Sequence, residues 1–420
     1  MPDRTIIVLA LSCAALVGCG NFCDEYPEAC ASAAPEPFDL EVLLIDGSGN
    51  GVSSAPVLVS SLDGKVVELR LTGQNGQLTT SVAGESYISV FYEADESHVF
   101  TALATPDVPK LTFALPAKAT NPGADIVVDS DCTSNCNPTT VSLSCRGHVE
   151  ISNEFTTVVG TVPDYVGCAG STQYDAFLVG YDASGLAVKA SSLFGADLSV
   201  AALTMPTMTA LTSDDRFDFR MTIDNDLPIE ASTRSIFVPY EDRPGYAFSD
   251  RNKDTADTIR FSLVKEFVPR AQSVFFVSLP ESRTVRRQEL FDPVPSDVVF
   301  GTPDLAVPIR PAMLQMDDPA RPRAYWQLDE GPLTDALQLL VAQGTLRWTV
   351  TMPADAKGNF SFPELPEELT SYLLADPDDY DVLHIDLDGV AGYEAFAAKP
   401  IRDYEGDPGL DDLTIARASR

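Results

Sequence analysis

The punctuation of this chain limits its fold more than any other feature. Short runs rich in Val, Ile, Leu, Phe, Tyr and Thr are broken by Gly, Asn, Asp and Pro about every ten residues. DLEVLLID (39–46), APVLVSSL (55–62), KVVELRLT (65–72), YISVFYEA (87–94) and KLTFALPA (110–117) open the series. TVSLSCRG (140–147), TTVVGTV (156–162), DAFLVGYDA (175–183), RFDFRMTID (216–224), RSIFVPYE (234–241), TIRFSLVKEF (258–267) and AQSVFFVSL (271–279) continue it. Runs this short, many of them alternating, suit strands, and no strand–helix alternation points to a parallel α/β sheet or barrel. The expectation is an all-β, multi-domain chain of antiparallel β-sandwiches in tandem, with few short helices. A length of 420 residues, 45% of them hydrophobic, is enough for several cores at about 100–200 residues per domain.

The first residues read as an address. Ile6–Val17 is almost wholly apolar, the length of a secretory core and short of the ~20 residues a membrane-spanning helix needs. It ends in Leu16-Val17-Gly18-Cys19, which resembles the lipobox of bacterial lipoprotein signal peptides. The resemblance implies loss of residues 1–18, acylation of Cys19, and a lipid anchor in a bacterial cell envelope. Gly20 after the Cys, in place of Asp, implies an outer-membrane or cell-surface destination. Acyl chains at ~0.8 kcal/mol per buried CH₂ anchor a protein without a transmembrane helix. Residues 19–37, small, acidic and rich in Pro and Ala, then read as a lipidated tether. Cys13 would leave with the signal. Cys23, Cys30, Cys132, Cys136, Cys145 and Cys168 remain, an even set that in an exported chain reads as disulfides. Proximity favours Cys23–Cys30, Cys132–Cys136 and Cys145–Cys168. A Cys₃His set completed by His148 is the metal or redox alternative.

Module boundaries follow the turns. Residues 38–116 carry Asp46, Gly49, Pro56, Val57, Gly73, Gly76, Gly84 and Tyr87 in an order that resembles carboxypeptidase-regulatory-like (transthyretin-like) and related Ig-like sandwiches. The resemblance implies a structural or recognition module and brings no catalytic residues. Residues 117–138 are polar and turn-rich, a linker. Residues 139–316 hold one or two further sandwiches, with 193–211 open to a short helix. Residues 317–420 form the last unit: ARPRAYWQL (320–328), GTLRWTVTMP (344–353), NFSFPELP (359–366), DVLHIDLD (381–388) and YEAFAAKP (393–400). This order resembles fibronectin-III and other Ig-like sandwiches, which implies that Trp326 and Trp348 pack between sheets; sugar stacking is the functional alternative. Residues 366–374 suit a short helix with Pro at its first position. Residues 334–343 fit helix or strand equally.

Charge and missing motifs narrow the chemistry. The 62 acids against 28 bases give a net charge of −34, which argues against nucleic-acid binding. No G-x-S-x-G, H-E-x-x-H, Walker loop or dinucleotide fingerprint occurs, and His98, His148 and His384 lie far apart. Calcium is the one cofactor with a candidate loop: Asp250-x-Asn252-x-Asp254, with Asp257, has oxygen ligands at alternate positions but lacks the EF-hand Gly and terminal Glu. Asp386-x-Asp388-Gly389 after His384 is a weaker match, and Asp46-x-Ser48-x-Asn50-Gly51 reads as a hairpin turn. The functional expectation is a lipid-anchored envelope protein that binds, displays or scaffolds without catalysis. Its partners would be the membrane and envelope proteins or polysaccharide. The rivals are an accessory binder of polysaccharide or peptide, and a hydrolase built on carboxylates.

Overall fold

The computed structural model describes residues 36–419, apart from 48, 94–95, 116–124, 129–138, 146–147, 154–157, 162–172, 183, 198–202, 205, 225–228, 241–242, 253–257, 269, 281–282, 302–308, 316–317, 319–320, 329–333, 355–357, 376, 378 and 405–411. Backbone alone is described for the strand residues within 125–176, 196–204, 237–252, 309–314 and 327–328, and for 419. The fold is all-β, as the turn rhythm predicts.

The first strands are β1 (Pro37–Ile45), β2 (Pro56–Ser60), β3 (Val66–Leu71), β4 (Gln77–Ala83), β5 (Ser86–Glu93), β6 (Ser97–Ala104) and β7 (Lys110–Ala114). The middle of the chain adds β8 (Asp125–Val128), β9 (Thr139–Cys145), β10 (His148–Asn153), β11 (Val158–Thr161), β12 (Gln173–Tyr181), β13 (Ala187–Asp197), β14 (Leu203–Thr204) and β15 (Thr209–Ala210). Then come β16 (Arg216–Ile223), β17 (Ala231–Tyr240), β18 (Arg243–Asn252), β19 (Thr258–Val264), β20 (Ala271–Leu279), β21 (Arg283–Phe291) and β22 (Asp297–Phe300). The last are β23 (Ile309–Gln315), β24 (Arg323–Leu328), β25 (Ala336–Gln343), β26 (Leu346–Pro353), β27 (Asn359–Ser361), β28 (Asp379–Leu387) and β29 (Leu413–Ser419).

Twelve of these strands form one sheet in the order β18-β17-β20-β21-β29-β28-β25-β26-β6-β5-β2-β3. The join between the two ends of the chain is a parallel pairing, Leu346–Thr351 of β26 alongside Ser97–Ala102 of β6. Residues 38–116 and 317–420, separate modules by sequence, thus meet in a shared sheet. They also share a core: Leu40, Val57, Val90 and Phe113 pack with Leu383, Ile385, Phe396 and Ile415. This core lies between the large sheet and the small sheet β4-β1-β7. On the opposite face, Leu58, Phe91, Val99, Leu339, Trp348 and Val382 pack against Ala324, Trp326, Phe360 and Phe362 from the β23-β24-β27 side. A third core joins Phe219, Met221, Phe261, Leu263 and Phe300 of the β19-β16-β22 sheet to Phe275, Val277 and Val285 of the large sheet and to Phe177 and Val179 of β12.

Burial on both faces explains the ambiguous stretches. ALQLLVAQ of β25 is buried on both sides, so it shows no polar alternation, and the choice between helix and strand resolves to strand. Within 193–211 the chain continues β13 to Asp197 and adds the short β14 and β15. β8 lies inside the stretch expected to be a linker, where it pairs with β11 and β14. Residues 393–400, grouped with the strands by sequence, instead contain the helix Gly392–Ala397. Tyr393, Phe396 and Ala397 recur at helical spacing and turn inward to the first core. Residues Glu367–Tyr372 form a 3-10 turn, with Pro366 at the N-cap instead of inside the first turn.

Two glycines fix the loop crossing above β1. A Cβ on Gly51 would run into the Asn75 carbonyl, and one on Gly76 (φ +73°) into the Leu44 carbonyl. Only bare backbone lets the 46–51 and 73–76 turns touch, joined by the Leu44 N–H donating to the Gly76 carbonyl at 2.9 Å.

Candidate functional surfaces

Among the described residues the large sheet ends at β18 on one side and at β3 on the other. The residues of β3 are half-buried or exposed, with Val67 65% and Leu71 59% accessible beside Leu62 and Val66. Period-two alternation separates two faces. Leu69 and Leu71 share one face, where Leu69 leans on the second core, and Val67 is the unpaired residue of a bulge. Glu68 and Arg70 share the other, ion-paired at 2.6 Å, and Thr80 of β4 donates its hydroxyl to Glu68 at 2.8 Å. The Arg70 guanidinium first, and the Thr80 hydroxyl second, hold the Glu68 carboxyl below its usual range. The hairpin tip before β3 is pinned to the C-terminal half. Glu364 N–H donates to the Gly64 carbonyl at 2.9 Å, and the Arg321 guanidinium donates to the Asp63 carbonyl. Asp63 itself is pulled down to about 2 by the Ser61 hydroxyl and then Lys65.

A second polar cluster sits where β28 turns toward the helix. Asp335 is buried and accepts from the Leu387 N–H (2.8 Å) and the Gly392 N–H (2.7 Å), closing that corner. His384, 2% exposed, sits between Leu337 of β25 and Ala416 of β29 in the sheet. Its Nδ1 meets the Thr334 hydroxyl at 2.9 Å, and its Nε2 is buried without a hydrogen-bond partner. Burial pushes its pKa down to about 4. Partial burial, then the neighbouring Asp335 and Asp388 charges, push the Asp386 carboxyl up. His384 therefore faces the interior and serves no loop around an ion, while Gly389 (φ +76°) makes the turn.

A cleft of about 250 Å³ is lined by Arg347, Trp348, Asp379, Asp381, Asp403 and Arg417, among others. Within it Arg417 holds the buried Asp381 at 2.8 Å, and Arg347 reaches outside it toward Glu96 at 4.0 Å. The Asp381–Arg417 bridge runs from β28 to β29, so it braces the sheet.

Both tryptophans are core. Trp326 is 6% and Trp348 2% exposed, and Trp348 donates its indole N–H to Thr101 of β6 at 2.9 Å. Phe91 and Phe362 meet the Trp348 ring edge-on. Neither ring offers a face to a sugar, which corrects the stacking alternative.

The sequence-predicted sites fall mostly elsewhere. Cys19, Cys23, Cys30, Cys132, Cys136, Cys168, Asp254 and Asp257 lie outside the described residues. Cys145 ends β9, opposite His148 of β10 and Tyr174 of β12. Asp250 and Asn252 lie on β18, paired with Arg234 and Ser232 of β17, so the opening of the candidate calcium loop is strand backbone. Asp46 accepts from the Asn50 N–H at 2.9 Å, the hairpin-turn geometry expected there. Among the described residues no group of three or more His, Cys, Asp or Glu is placed to hold a metal. Among them, too, no helix is long and apolar enough to cross a membrane. Sequence reading missed the buried His384, whose signal was its place between the apolar Val382-Leu383 and Ile385, and the exposed side of β3, whose signal was the alternation in VELRL.

No known family pattern and no curated protein matches the chain. Among solved structures it is similar to a Ca²⁺-stabilized adhesin that helps an Antarctic bacterium bind ice, at 13% identity over 85% of this chain and 96% of that one, with a TM-score of 0.16. It is also similar to BcpA, the major pilin subunit of Bacillus cereus (9% identity, 63% and 98% covered, TM-score 0.19). A third is the chicken CNTN1 FN1–FN3 fragment (10% identity, 63% and 94% covered, TM-score 0.15). TM-scores this low carry no argument, and the protein's own sheets define its class: an all-β protein of several stacked sheets.

Proposed function

We propose that this chain is an exported lipoprotein of a bacterial envelope, anchored through Cys19, whose β-modules bind, display or scaffold without catalysis. The observation that carries the reading is Leu16-Val17-Gly18-Cys19 directly behind the apolar Ile6–Val17. Residues 19–37 tether the folded part to the outer membrane or cell surface. The charge of −34 keeps a protein held near a membrane soluble and away from its neighbours. The six remaining cysteines form disulfides. Proximity in the sequence supports Cys23–Cys30, Cys132–Cys136 and Cys145–Cys168. Residues 38–116 keep the role of a recognition module, joined to the C-terminal unit. Partners are other envelope proteins or polysaccharide, met on the outside of the sheets.

Metabolic labelling with a fatty-acid probe tests the anchor. The wild-type chain takes up label and partitions into detergent, whereas Cys19→Ser stays unlabelled and unprocessed. Equal labelling of Cys19→Ser would overturn the reading.

A further inference from the structure

The edge strand β3 is chemically its own complement. Thr72 donates its N–H to the Ala55 carbonyl at 3.0 Å, and its carbonyl accepts from Ser54 at 2.9 Å, so its backbone faces β2. Alternation along an antiparallel ladder turns Arg70 the same way and leaves the backbone groups of Leu69 and Leu71 facing outward. Among the described residues no strand pairs with that outer edge. Around Leu69 the order is Val67, Glu68, Leu69, Arg70, Leu71: apolar, acid, apolar, base, apolar.

We propose that two copies of this chain associate through β3, antiparallel about a two-fold axis at Leu69. In that register Leu69 exchanges both backbone hydrogen bonds with Leu69 of the partner subunit. Glu68 faces Arg70 of the partner subunit, and Arg70 faces the partner's Glu68. The existing Glu68–Arg70 pair, 2.6 Å within one chain, then closes into a ring of four alternating charges. On the other face, Leu69 lies beside Leu69 of the partner subunit, flanked by Leu71, now 59% exposed. Parallel pairing in register would set Glu68 against Glu68 and Arg70 against Arg70, so charge selects the antiparallel form. The register shift between Val59 and Ser60 leaves Val67 as the extra residue on β3. That bulge bends the strand and stops the ladder there, so the contact is short and the dimer dissociates readily. A two-fold contact also closes on itself, so assembly ends at two copies.

Sedimentation equilibrium of the full chain tests this. A concentration-dependent monomer–dimer equilibrium is expected. Arg70→Glu and Glu68→Arg each place like charges across the axis and weaken it about tenfold or more. The exchanged double variant Glu68→Arg/Arg70→Glu restores the complement and the affinity, which separates repulsion from misfolding. Under mild oxidation Leu69→Cys yields a covalent dimer above the wild-type background, because paired Cα atoms ~5.5 Å apart suit a disulfide. Leu71→Cys, away from the two-fold axis, does not. A chain that stays monomeric, assembly that grows past two, a dimer indifferent to both single reversals, or an exchanged double variant as weak as the singles would each overturn the proposal.

Discussion

Acid should loosen this sheet through one residue. His384 sits on β28 between β25 and β29, nearly inaccessible, with one ring nitrogen on the Thr334 hydroxyl and the other facing no acceptor. Protonation there would place a cation in the interior with nothing to receive its second N–H. Burial accordingly pushes its pKa from 6.5 to about 4. The unfolded chain binds the proton near 6.5 while the folded chain resists it until about 4, so between these values the unfolded state carries more protons. Stability is therefore whole above about pH 6.5 and falls as the pH drops toward 4. At ~1.4 kcal/mol per pKa unit, the loss is about 2 kcal/mol near pH 5 and about 3 kcal/mol near pH 4. That is a sizeable share of the roughly 5–15 kcal/mol that holds an ordinary domain. His98, also pushed down by burial, adds a slope of the same sign. The assay is denaturant unfolding followed by the fluorescence of the two buried tryptophans, at neutral pH and near pH 5. His384→Gln keeps a hydrogen-bonding side chain but cannot titrate. The wild type should lose about 2 kcal/mol more than this variant on acidification. An equal loss in both would refute the reasoning.

Three further outcomes follow from particular contacts. Trp348→Ala should destabilise the fold by about 3–5 kcal/mol, since it empties a core site and strips Thr101 of its indole donor, and a fall in the denaturant midpoint would show it. Gly76→Ala should cost more than ~1 kcal/mol, because a Cβ there meets the Leu44 carbonyl at a positive φ; thermal melting compared with an exposed control such as Gly344→Ala, also at positive φ but with open space, isolates the collision. Tyr393→Phe should cost about 1–3 kcal/mol per backbone group stranded, because the Tyr393 hydroxyl accepts from the Leu103 N–H at 3.0 Å and donates to the Leu103 carbonyl at 2.9 Å. Faster hydrogen exchange at Leu103 would be its signature.

How much the sequence reveals depends on how many faces a strand buries. β4, with alternating burial, and β1, whose buried positions also recur every second residue, read plainly as strands. β25 did not, because both its faces are covered and the alternation that distinguishes strand from helix is gone. The helix Gly392–Ala397 was hidden for a different reason: six residues are too few for a period of 3.6 to stand out. The tryptophans were legible as core, since β-run context outweighed their capacity to stack on a ligand. His384 was not, because a lone His reads equally as a surface or a core residue until its neighbours on β25 and β29 are known.

The sheet order was the least legible feature, and it changes what the modules are. Local turns dictate β5–β6 and β25–β26, each joined by a tight connection. Nothing local dictates that β6 should pair with β26, far away in sequence and parallel. The physical warrant lies in polar groups that either half would otherwise leave stranded. Thr101 of β6 receives the Trp348 indole N–H, and Tyr393 completes the backbone of Leu103 just past Ala102, where the β6–β26 register ends. Ile401 adds a second seam, donating to the Thr112 carbonyl at 2.7 Å while its own carbonyl receives the Ala114 N–H at 2.8 Å. Removing residues 317–420 would expose those groups together with the N-terminal side of the first core. The N-terminal sandwich therefore draws its stability from the C-terminal segment. Any force or ligand acting on β3 at the sheet's edge is borne through β2, β5 and β6 into that segment, without a flexible joint between them.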